Sequence, residues 1–177
     1  GTAMIVDDKY FYANQSFAEK TAQLLKKNEV TIIGHDLKKE HYALMFQKTD
    51  RIKTGFDTCL AQYVLDPGRS NYDLKVLAQE YLNMEMKDEK TFMIERSQID
   101  IFDDSSSKFS EYGKSWCTAV QMIMEEQKKL IREENLEKVF YDVEMPLIEV
   151  MAFMEYAGFM LDKSELSEIG KDVTERI

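Results

Sequence analysis

A short β-rich run, Val30-Thr31-Ile32-Ile33, closed by Gly34, constrains the fold more than any other feature. It is long enough for a buried strand and too short for a helix. Upstream, Gly1-Thr2-Ala3-Met4-Ile5-Val6 and Tyr10-Phe11-Tyr12 are joined by polar Asp7-Asp8-Lys9 and read as a β-hairpin. Between hairpin and run, Ser16 can cap a helix that buries Phe17, Ala18, Ala22, Leu24 and Leu25. That helix ends near Asn28, with Lys26-Lys27 in a last turn where the helix dipole favours cations. A further helix is expected from about Asp36 to Phe46. Strands alternating with helices imply an α/β fold, a mixed sheet with helices packed on it. A lone hairpin leaves one sheet edge open, so a further strand is expected beside it.

Beyond this point the pattern turns helical. Phe56-Asp57-Thr58 opens a helix carrying Leu60, Ala61, Val64 and Leu65, and Asp66-Pro67-Gly68 stops it. Leu74, Leu77, Ala78, Tyr81 and Leu82 recur at helical spacing. Residues 84–106 are polar and mixed, with Asp103-Asp104-Ser105-Ser106-Ser107 expected as a mobile loop. A long helix from about Lys108 to Arg132 presents Trp116, Ala119, Val120, Ile123, Leu130 and Ile131 on one side. Another, from about Leu136 through Met154, has Val139, Phe140, Val143, Leu147, Val150, Met151 and Met154 in phase, with a kink or restart expected at Pro146. After an extended Gly158–Asp162 exit, Ser164 with nearby acids is expected to cap a last helix. A chain that stops inside an amphipathic helix reads as a piece of a longer protein.

Charge narrows the functions. The 177 residues carry a formal net charge of −10, with a pI near 4.8, so the chain as a whole repels phosphate backbones and tight autonomous nucleic-acid binding is not expected. The basic pairs Lys26-Lys27, Lys38-Lys39 and Lys128-Lys129 read as solvated helix faces. No apolar run approaches the roughly 20 residues a membrane helix needs, and no secretory leader opens the chain, so a cytoplasmic location is expected. Cys59 and Cys117 lie far apart, each on an apolar helix face, and read as buried free thiols.

Two ordered segments carry a resemblance. Gly55-Phe56-Asp57-Thr58-Cys59-Leu60-Ala61-Gln62-Tyr63-Val64-Leu65-Asp66-Pro67 is similar to a characteristic helix of the 3'-5' exonuclease domain of family A DNA polymerases, and Tyr72 to Leu82 follows at that family's spacing. Tyr141-Asp142-Val143-Glu144-Met145-Pro146-Leu147, continuing to Met154-Glu155-Tyr156-Ala157-Gly158 and Leu161-Asp162, resembles the segment joining that domain to the polymerase thumb. The resemblance implies a ribonuclease H-like fold with its first strand missing from this chain. It also implies an exonuclease-like domain over 1–134, and a connecting helix with the start of the polymerase domain over 135–177.

Exonucleases of this type hold two divalent metal ions with carboxylates. Hard ions such as Mg²⁺ require oxygen ligands in tight geometry. The family's first motif, Asp-x-Glu, would precede the hairpin. Its second motif matches Gly34-His35-Asp36-Leu37-Lys38-Lys39-Glu40, with Asp36 in place of Asn and Glu40 in place of the metal-binding Asp. Its third keeps Tyr112 but has Trp116 where a catalytic Asp belongs, and indole cannot coordinate Mg²⁺. Asp36 therefore reads as a helix cap, Glu40 as a solvated acid and Trp116 as core. His35 and His41, six residues apart on different helix faces, do not read as ligands.

No catalytic residue, metal or cofactor is expected for this chain, and Mg²⁺ is expected only for the parent polymerase. The resemblance implies a structural domain partnered by the polymerase domain of the same polypeptide, reaching DNA through the parent. Some Gram-positive DNA polymerases I are similar in having such a vestigial domain. Two alternatives stand beside it: a divergent active exonuclease using Glu40 with acids such as Asp57 or Asp73, and an acidic protein-interaction module around Asp103-Asp104.

Overall fold

The computed structural model describes residues 2–6, 9–13, 23, 30–46, 53–86 and 105–176. The expected Ser16–Asn28 helix and the Asp103-Asp104 pair lie outside the described residues. Strands β1 (Thr2–Val6) and β2 (Lys9–Ala13) form the hairpin, antiparallel, pairing Met4 with Phe11. Strand β3 (Thr31–Gly34) leads into helix α1 (Leu37–Phe46). Strand β4 (Lys53–Asp57) then pairs parallel with β3, the register slipping by one residue at Gly55 so that Ile33 lies opposite Phe56. Helix α2 (Thr58–Leu65) follows β4 directly, and α3 (Leu74–Leu82) follows the Asp66-Pro67-Gly68 turn.

Three expectations change here. The helix opens at Thr58, as expected, with Asp57 as its cap, but Phe56 and Asp57 also end a strand that was not expected. Lys53-Thr54-Gly55 has neither apolar alternation nor a β-branched run, so the strand forms because Phe56, 1% exposed, packs into the core beside β3. Ser105 to Ser107 belong to helix α4 (Ser105–Glu133) and not to a loop. The strands make two two-stranded sheets among the described residues, one antiparallel and one parallel, where one mixed sheet was expected. No described strand bridges the two, and α4 packs against both.

Gly113 permits that packing. A Cβ there would lie 2.6 Å from Ala3 Cβ and 2.8 Å from Tyr10 Oη, so the hairpin rests directly on the α4 backbone. Tyr10 Oη donates to the Ser110 carbonyl at 2.6 Å. On its other side α4 meets α2 and α3. Gln127, fully buried, donates from Nε2 to the Thr58 carbonyl at 3.0 Å and to Gln62 Oε1 at 3.2 Å, and Tyr81 Oη donates to the same Gln62 oxygen at 2.7 Å. These bonds satisfy Gln127 Nε2 and Gln62 Oε1, whereas Gln127 Oε1 is buried without a hydrogen-bond partner among the described residues.

After Asn135, in the left-handed region at φ 58, the chain enters a π-helical turn (Val139–Glu144) that continues into α5 (Met145–Ala157). Pro146 falls in the first turn of α5, directly after the π turn, so the expected interruption is this π-to-α junction. The helix buries Phe140, Met145, Ile148 and Ala152 rather than the stripe of Val139, Val143, Leu147, Val150, Met151 and Met154 expected from periodicity, all of which are exposed. One extra residue per π turn rotates everything that follows. The Phe140 ring sits 4.9 Å from that of Phe56, in a core shared by Leu37, Ala61, Met124, Ile131, Met145 and Ile148. Trp116, Ala119, Val120 and Ile123 of α4 build a second core with Leu74, Leu77, Ala78 and Met86. Last comes α6 (Lys163–Arg176), with no buried residue. Of Ser164 and the nearby acids expected to cap it, the capping side chain is Asp162, whose Oδ1 accepts from the amides of Ser164 at 2.9 Å and Glu165 at 3.2 Å.

Candidate functional site

The parallel strands β3 and β4 end side by side, Gly34 opposite Asp57, and each runs into a helix. Two helix N-termini thus converge, presenting amides that lack intrahelical partners. Asp57, 2% exposed, serves both. Its Oδ1 accepts from the amides of Asp36 (3.0 Å), Cys59 (2.8 Å) and Leu60 (3.2 Å), and its Oδ2 from the amide of Leu37 (2.7 Å). One carboxylate caps α1 and α2 together, and both helix dipoles favour its charge. Sequence reasoning gave the cap of α1 to Asp36. Its cap on α2 is local, but nothing local signals its cap on α1, whose two amides lie 20 and 21 residues away.

Asp36 has backbone φ 57, in the left-handed region, and its carboxylate pairs with Lys39 Nζ at 2.7 Å. Glu40 is exposed on the first turn of α1. Partial burial of its carboxyl, and next the charge of Asp36, push its pKa up. His35 stands between the two strand ends. Thr58 Oγ1 donates to the Gly34 carbonyl at 3.2 Å, so it accepts from His35 Nδ1 at 2.9 Å, which assigns the imidazole proton to Nδ1. Burial lowers the His35 pKa, against the raising influence of Asp57, Asp36 and Asp73. His41 is separate: buried within α1, it bonds through Nε2 to Thr54 Oγ1 at 3.0 Å, and burial lowers its pKa too, opposed by Glu149.

The structure brings the second and third motif segments together through His35 and Trp116. Their rings lie 6.3 Å apart at 82°, edge to face. Tyr112, half-buried, stands one helical turn before Trp116 on α4. Cys59 and Cys117 are half-buried free thiols whose pKa values are pushed up to about 12 and about 11, burial being the main cause, so both stay protonated and poorly nucleophilic.

A two-metal centre needs several carboxylate oxygens facing one point. Here Asp57 is committed to four amides, Asp36 is paired with the largely exposed Lys39, and Trp116 presents an indole. Among the described residues, no group of three His, Cys, Asp or Glu side chains is placed to hold a metal ion. What the arrangement does is tie two strand–helix junctions to α4.

A family model described as 3'-5' exonuclease matches residues 2–102. The chain belongs to that family. Its curated relatives include bacterial DNA polymerases I: it is 28% identical over 159 residues to the enzyme of Caldicellulosiruptor bescii, covering 88% of this chain and 16% of that one, and 27% identical over 139 residues to that of Bacillus subtilis, covering 78% and 16%. This 3'-5' exonuclease domain of the DNA polymerase I kind thus spans about a sixth of the length of those relatives. A solved structure, the POL domain of Pol1 from M. smegmatis in complex with DNA primer-template and dNTP, matches 98% of the chain with a TM-score of 0.66 at 17% identity, covering 28% of that chain. At that identity the likeness concerns the fold.

Proposed function

We propose that this domain is a structural, proofreading-silent member of its family, a part of a DNA polymerase I that positions the polymerase domain of the same polypeptide. The observation that carries the reading is Trp116, which occupies the third-motif carboxylate position and packs edge-on against His35. The rival reading of an active exonuclease built on Glu40, Asp57 and Asp73 is disfavoured by Asp57, buried and bonded to four amides. The whole protein, on this reading, is a cytoplasmic DNA-directed DNA polymerase acting in replication and repair. Its Mg²⁺ and DNA are engaged by the polymerase domain. Among the described residues no helix is long and apolar enough to cross a membrane.

The fold class on this reading is ribonuclease H-like, with 1–134 forming the exonuclease-like domain and 135–177 the connecting helix and start of the polymerase domain. The test is degradation of a 3'-labelled single strand by the full-length protein with Mg²⁺ or Mn²⁺. No metal-dependent shortening is expected, and Glu40→Ala is expected to change nothing. Shortening that disappears in Glu40→Ala would overturn the reading.

A further inference from the structure

Among the described residues strand β4 pairs with β3 alone. Its other edge therefore leaves N–H and C=O groups without a ladder. Along β4 lies a cavity of about 430 Å³, walled on one side by Lys53, Thr54 and Gly55 and on the other by Tyr141, Met145, Pro146 and Glu149. Side chains alternate across a strand, so three consecutive residues line one cavity where it runs along the strand's edge. Gly55 has no side chain and contributes its peptide groups alone. The volume falls in the range of about 300–1,000 Å³ that ligand sites occupy.

The facing wall also carries an unmatched main-chain group. Met145 N–H donates to the Phe140 carbonyl, five residues back. The next donor in that series is the nitrogen of Pro146, which bears no hydrogen, so the Tyr141 carbonyl lacks its helical bond. Met145 and Pro146 add apolar surface to the same wall. Unmatched amides and carbonyls on a strand edge are completed by another extended main chain. Lys53 and Glu149 set one charge of each sign at the cavity, whereas a phosphate backbone needs clustered cations. We propose that the outer edge of β4 is a docking site for an extended peptide of another protein, added as a further strand, with an acidic residue near Lys53 and an apolar one against Met145 and Pro146. Such docking is independent of whether the domain degrades DNA.

The test selects binders for the full-length protein from a display library of random peptides of about ten residues, then titrates a synthetic, fluorescent copy of a selected peptide. Its affinity is expected to fall at least about tenfold when alternate main-chain N–H groups of the peptide are methylated, because main-chain bonds hold an added strand. Amide hydrogen exchange at 53–55 is expected to slow on binding. Lys53→Glu, at an exposed position, is expected to weaken binding about threefold, and exchanging the peptide's acid for lysine to restore it. That restoration also shows the variant to be folded. Selected peptides indifferent to N-methylation, or to Lys53→Glu, overturn the proposal. So does a screen that yields no binder. Slow exchange at every amide of 53–55 in the peptide-free protein overturns it as well, since the edge then belongs to a strand of the same polypeptide.

Discussion

The ends of the two parallel strands offer a comparison within one molecule. At the β4 end, Asp57 is buried and bonded to four amides drawn from two helices. At the β3 end, Asp36 and Glu40 stand at the positions where family resemblance locates chemistry, yet the one is paired with a largely exposed lysine and the other is exposed. The carboxylate with the most partners is therefore the one the metal motifs do not include. A carboxylate surrounded by fixed donors is committed to the fold, and one facing a flexible ammonium in solvent is not.

The largest test of the contrast is Asp57→Ala. It strips the cap from two helices and leaves buried amides unsatisfied, for an expected loss of about 3–5 kcal/mol in denaturant unfolding. Asp57→Asn keeps an acceptor oxygen and should lose only about 1–2 kcal/mol. A loss from Asp57→Ala no greater than that from Asp36→Ala would erase the distinction. Next comes Trp116→Asp, which restores the family's residue type at the third motif. It removes aromatic packing and sets a carboxylate beside His35, for an expected cost of about 2–3 kcal/mol. Its melting temperature should not rise with added Mg²⁺ or Mn²⁺; a metal-dependent rise would show that the β3 end still gathers ligands.

A smaller effect concerns pH. His35 and His41 both have folded pKa values lowered by burial, so the native state holds them neutral and the unfolded state binds the extra protons. Their contribution is whole above the unfolded value of about 6.5 and is lost as pH falls through the window between that value and the lowered folded ones. Melting curves should show stability falling on acidification across that window, less steeply in His41→Gln. Glu40 has the opposite sign. Its raised pKa means the charged form is disfavoured in the fold, so its contribution is present below the unfolded value and lost as pH rises through the folded one. Glu40→Gln is accordingly expected to stabilise slightly at neutral pH. Smallest of all, Asp36→Asn removes an exposed ion pair while keeping a side chain tolerant of the left-handed backbone, and should change stability by under about 0.5 kcal/mol.

Much of this was legible in the residues and some was not. The hairpin, β3, α1, α3 and the stop at Asp66-Pro67-Gly68 follow from local alternation, helical spacing and turn chemistry. Strand β4 was hidden because Lys53-Thr54-Gly55 carries no β signal and Phe56 acts through a long-range partner, Phe140. The buried face of α5 was misread because the π turn shifts the phase and both faces are apolar, leaving periodicity nothing to choose between. The motif positions Asp36, Glu40, Tyr112 and Trp116 were assigned through the family resemblance alone. The double cap of Asp57 was not, since only the parallel pairing of β3 with β4 brings the two sets of amides together.

Trp116 is the only tryptophan in the chain, and its ring edge meets an imidazole. These 177 residues therefore contain their own optical probe, confined to one spot. Its indole emission reports on the junction of α4 with the two strand ends, and a protonated imidazole is an efficient quencher at such range. Light collected from this single ring would follow the state of His35 directly, without any label.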